Sequence, residues 1–249
     1  MTVPRSRLFM TSPDGTDSEL PEELWETLED LYELATEDPE EARTTFASFP
    51  EEVRNLREFQ MALAGIEKHL EHFEDAEKRL RALLERYPND ADLCHQLADL
   101  LEDSGELEEA GQLFLETLRL DRQKPKLTTD EIFARIDQAV RQILRELPPD
   151  YQKRLSHVPV IVEDRPTEDM VREGLDPRSL GVFEGDDHAS DLNQEIKVSP
   201  TRIVLFAENL VDDAGDGPEL EEEVGITVLH EIGHYFGLDE EDMERLGLD

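Results

Sequence analysis

Alanine returns at a fixed interval through the first half of the chain. Ala42, Ala76 and Ala110 stand 34 residues apart, and so do Phe46, Leu80 and Phe114. Leu63–Ala64 recurs 34 residues later as Leu97–Ala98, and Ile66 as Leu100. A period of this length holds two helices and a turn, and each unit buries its apolar face only by stacking on the next. The alanine lets paired helices approach closely, and the large residue four positions on fills the groove between neighbours. "EDPEEA" and "EHFEDA" read as loops entering the second helix of a unit, with Pro39 suited to a first helical turn. Gly105 falls in a turn between two helical patterns. The pattern is weakest in the first unit, where Glu29 and Asp30 stand at the Leu-Ala positions.

This spacing resembles the tetratricopeptide repeat and implies an all-α array over residues 21–124, a surface suited to holding a protein partner. Residues 1–20 are polar and aperiodic and are expected to form a tail. "DRQKPKLTTD" interrupts the repeat with local positive charge and Pro125, so a domain boundary is placed there. Residues 125–249 then form a second domain.

In that second half Thr128 and Glu131 suggest a capping box. Ile132, Ile136, Val140, Ile143 and Leu147 line one face of the helix that follows, and Pro148–Pro149 end it. Val158 to Asp164 and Arg202 to Leu210 read as strands. The stretch between them reads as mostly loop, with Gly174, Gly181 and Gly185. Pro218 opens the last long helix, and Gly237 closes it as a left-handed cap.

That helix carries "HEIGH". Residues i and i+4 share a helix face, so His230 and His234 can aim at one ion. Glu231 stands about 100° around the helix, within reach of a water on that ion without being a ligand. Two histidines and a neighbouring glutamate in this register are the arrangement of a zinc site with a general base.

Four stretches occur in order: "VPVIVEDRP", "GLDPRSLGVFEG", "RIVLFAENL" and "ITVLHEIGHYFGLDEEDMERLG". Together they resemble the small bacterial zincin-like metallopeptidases, described as a minimal matrix-metalloprotease-like domain. The resemblance covers about residues 127–249. It implies an α+β fold with helices packed on a small mixed sheet, bound Zn2+ and peptidase activity. His230 and His234 become ligands and Glu231 the base. The family motif runs H-E-x-x-H-x-x-G-x-x-D, with the last acid as third ligand; here Glu240 holds that position, with Asp239 as its rival. Metzincins carry a histidine there and a methionine turn far downstream, for which the remaining chain is too short; Met243 reads as core. Glu184 and His188 are candidates for the rim of the site, although the glycines flanking Glu184 predict a tight turn. "RIVLFAENL" is the candidate strand edge for pairing with an extended peptide.

Composition narrows the partners. With 63 acids against 25 bases the formal charge is −38. Affinity for nucleic acid and for anionic membranes comes mainly from Lys and Arg, so neither is expected. Metal ions and basic peptides suit such a field, and so does adaptation to a salty interior. A single cysteine, Cys94, excludes a disulfide framework and a thiolate-built zinc site. No stretch has the roughly 20 apolar residues of a membrane span, and the N-terminus lacks a signal-peptide core. A bacterial cytoplasm is the expected location. Two functions follow: a zinc-dependent metallopeptidase acting on peptide or protein substrates brought by the repeats, or a non-catalytic adaptor whose zincin-like half is structural.

Overall fold

The computed structural model describes residues 20–185 and 201–239, together with 242, 243 and 245. The described residues are mostly helical, with one small mixed sheet. Contact density separates two compact units. Among the described residues, the first comprises 20–124 and 168–177, and the second 125–167 with 178 onward.

The first unit begins with helices α1 (Glu22–Glu37), α2 (Pro39–Ser48) and the short α3 (Glu51–Arg54). Then come α4 (Arg57–His69), α5 (Phe73–Arg86), α6 (Ala91–Asp103) and α7 (Leu107–Asp121). Neighbours in sequence pack as hairpins: α1 on α2, α4 on α5, α6 on α7. Ala42, Ala76 and Ala110 are all buried, as are Phe46, Leu80 and Phe114, so the recurrent residues are those between the helices. Pro39 opens α2 and the Asp38 carboxylate accepts from the Glu41 N–H at 3.0 Å. Asp90 caps α6 in the same manner and also receives the buried Arg57 guanidinium, which donates to Asp92 at 3.1 Å. The short helix α10 (Glu168–Arg172) belongs to this unit. Its Val171 is buried with Ala98, Phe114 and Leu118, and His95 Nε2 lies 2.9 Å from both carboxylate oxygens of Asp176.

The second unit holds α8 (Asp130–Glu146), α9 (Pro149–Leu155), β1 (Val160–Glu163) and β2 (Gly181–Glu184). It continues through β3 (Arg202–Phe206), α11 (Ala207–Ala214) and α12 (Glu219–Tyr235). The sheet order is β1-β3-β2, with β1 parallel and β2 antiparallel to β3. Ile203 and Leu205 of β3 enter one core with Ile132, Ile136 and Val140 of α8 and Val224, Val228 and Ile232 of α12.

Four readings of the sequence are corrected. The cap of α8 is Thr129, whose hydroxyl accepts from the Ile132 N–H; the Thr128 hydroxyl instead donates to the buried Glu208, which also accepts the N–H groups of Leu127 and Thr128. "RIVLFAENL" is strand only to Phe206 and then helix, because Ala207–Val211 continue the burial on a helical path. β3 is also the central strand, hydrogen-bonded on both sides, so it offers no free edge; among the described residues β1 and β2 are the outer strands. The stretch read as loop between the strands contains α10 and β2, so Glu184 ends a strand rather than sitting in a tight turn.

Candidate metal centre

Helix α12 is rotated by its apolar residues. At about 100° per residue, Val224, Val228, Ile232 and Tyr235 centre on one side, and all four are buried. His230 and His234 point roughly 135° away from that side and are half-buried. Glu231 falls between the two directions and is only 6% exposed. The acids Glu219, Glu221 and Glu222 occupy the first turn, where the positive end of the helix dipole favours them. Arg135 of α8 fixes the same end, donating to the carbonyls of Asp216 and Gly217 at 2.7 Å each and pairing with Glu221.

The far end stops by a Schellman closure. Gly237 takes φ +81°, its N–H donates to the His234 carbonyl at 2.9 Å, and the Leu238 N–H donates to the Gly233 carbonyl at 3.1 Å. Tyr235 is fully buried; its ring meets Phe183 of β2 at 5.8 Å and Phe236 at 4.9 Å between centroids. The helix end that carries His234 is thereby fixed to the sheet.

The two imidazoles converge, with Nε2 of His230 and Nε2 of His234 2.9 Å apart. Two nitrogens that each bind a tetrahedral zinc at 2.0–2.1 Å stand about 3.3 Å apart. A small opening of the rings therefore makes the pair fit one ion. Glu231 is held on the adjoining flank by β2. A Cβ on Gly181 would lie 3.2 Å from Cγ of Glu231 and 2.9 Å from Cγ2 of Thr227, so only glycine leaves space for the glutamate. Missing β2 in the sequence hid this role of Gly181; the one signal was a glycine opening a short apolar run.

Glu223 lies on the histidine side of α12, two turns towards the N-terminus. Burial, with Asp213 and then Glu222 adding repulsion, raises its carboxyl above the usual range. Asp213 of α11 is likewise raised, by burial and by Asp212.

The remaining candidates divide. Glu184 pairs with Arg202 across β2 and β3, and its charge is met there. It lies three residues beyond Gly181, about 10 Å along the strand. Asp239 is exposed, and its Oδ1 accepts from the Asp242 N–H at 3.0 Å, as the cap of a terminal helical turn. Glu240 and His188 lie outside the described residues. Among the described residues no third His, Cys, Asp or Glu joins the two histidines. Met243, read as core, is fully buried.

Residues 155–248 match the family model of the zincin-like metallopeptidases. Residues 57–158, from α4 to α9, match a family of unknown function, DUF6584. No curated protein matches the chain. No described helix is long and apolar enough to cross a membrane.

Proposed function

We propose that the chain is a zinc-dependent peptidase whose helical array, a tetratricopeptide-like stack, presents protein substrates. The observation that carries this reading is the 2.9 Å approach of the two Nε2 atoms with a buried glutamate on the adjoining flank. The family match over residues 155–248 supports it independently. His230 and His234 hold the ion, and an acid after Gly237 completes it, Glu240 first and Asp239 second. A zinc ion bound there supplies a water whose pKa falls to about 7. With the ion in place, the Glu231 carboxylate would be the group to take a proton from such a water and to return it to a leaving amine. Its packing against Gly181 keeps the carboxylate from swinging away from the histidine flank. An extended substrate fits along β2, which pairs with β3 on one side and with no strand on the other among the described residues.

A second reading, a non-catalytic adaptor with a silent zincin-like half, is favoured by the use of Asp239 as a helix cap, which leaves two ligands among the described residues. Metal analysis of the purified chain with a peptide-library cleavage assay separates the two. Wild type should hold one zinc and cleave, and Glu231→Gln should keep the zinc and lose cleavage. Equal cleavage by wild type and Glu231→Gln removes the peptidase reading. Zinc without cleavage by wild type favours the adaptor. Stoichiometric zinc in a His230→Ala, His234→Ala double variant removes the metal centre.

A further inference from the structure

Glu231 and Gly233 flank the histidine direction of α12 on opposite sides, each about 80° from it. The first flank is closed by β2 at Gly181. The second is closed by the end of the chain. A Cβ built on Gly233 would lie 2.2 Å from Cε and 2.6 Å from Sδ of Met243, and 3.5 Å from Cδ1 of Leu238. The thioether thus fills the space that any other residue at 233 would claim, and Met243 is 0% exposed.

Hydrogen bonds fix the described residues on either side of this seat. The chain reverses at Gly237, and Leu238 returns its N–H to the Gly233 carbonyl. The Asp239 carboxylate then caps the Asp242 N–H, and the Asp239 carbonyl accepts from the Met243 N–H at 3.0 Å. Gly233 and Gly237 both stand within one turn of His234. A methionine suits the seat because its unbranched, polarisable chain fills irregular space against backbone.

We propose that Met243 is a positioning residue for the metal centre: seated on Gly233, it closes the second flank of the histidine pair and thereby sets how tightly the metal is bound, without itself being a ligand. This rests on the zinc reading of His230 and His234. The segment between Gly237 and Met243 has both ends fixed, one by the Schellman closure and one by the thioether. With the thioether gone, the flank of α12 beside His234 loses its packing partner, and fixing the imidazole there costs conformational entropy on each binding event.

The test uses the full chain, with zinc affinity read by competition against a chromophoric chelator. The visible spectrum of the cobalt(II)-loaded protein and the melting temperature of the metal-free form are measured in parallel. Met243→Ala should weaken zinc by roughly 10–100-fold, the range found when residues supporting metal ligands are lost, and should change the cobalt spectrum. Met243→Leu, which conserves volume, should recover most of the affinity. Gly233→Ala evicts the thioether while improving helix propensity. It should weaken zinc like Met243→Ala although α12 itself is favoured, and it decides the matter alone if Met243→Ala does not accumulate as folded protein. Zinc affinity within about twofold of wild type in Gly233→Ala, with an unchanged cobalt spectrum, overturns the proposal even if the melting temperature falls. Zinc retained by the double histidine variant overturns the metal reading instead, so the two failures are distinct.

Discussion

Gly181 leaves no room for even a methyl group: Thr227, Glu231 and Leu205 all lie within 3.2 Å of where its Cβ would stand. Gly181→Ala should therefore displace Glu231 while leaving the histidines in place. The expected result is zinc content equal to wild type with kcat/KM lower by up to about 100-fold, the cost of an ångström's misplacement of a reacting group. Steady-state kinetics with metal analysis on one preparation checks both halves. The two acids after Gly237 should separate in the same way. Asp239→Ala removes a helix cap worth about 1 kcal/mol and should change zinc affinity little. Glu240→Ala should weaken zinc by at least the roughly 10–100-fold typical of lost supporting residues. The opposite pattern in a zinc competition assay places the ligand one residue earlier.

At the level of elements, α11 and α12 bring Asp213 and Glu223 together as partly buried acids. A carboxyl raised in the fold binds its proton more readily there than in the unfolded chain. Stability therefore falls as pH rises from the ordinary carboxylate range, about 4, through the folded value, and the penalty is complete above it. Glu223→Gln should melt higher at neutral pH by about 1–3 °C, as a fraction of a kcal/mol does in a chain of this size, and the gain should vanish towards about pH 4. Melts of the metal-free protein across pH test this. The elements also divide by how well the sequence announces them. Helices α8 and α12 show long apolar periodicities with proline or threonine at their starts, and both appear as expected. β3 was read too long because Arg202 to Leu210 is nearly continuous in apolar character, and burial on all sides looks alike in a central strand and in the helix after it. β2, α9 and α10 are too short for any period to register, and packing rather than propensity makes them. Hence the histidine pair and its glutamate were legible in five letters, whereas the strand that holds the glutamate was not.

Over the whole molecule, the unexpected feature is the path of the chain. Residues 168–177 lie with the helical array although both neighbours in sequence, β1 and β2, belong to the sheet. No composition shift marks the excursion; its signal is one buried valine and one aspartate that meets His95. Val171→Asp places a charge against Ala98, Phe114 and Leu118. It should cost about 2–4 kcal/mol in denaturant unfolding and abolish hydrogen-exchange protection at 168–177. Protection unchanged from wild type would count against the packing described. The array and the sheet are therefore interleaved in covalent order. A cassette cut at the end of α7 leaves a piece of itself behind, so the two parts are not exchangeable modules: recombination that joins or sheds one must also write or erase a passage in the middle of the other.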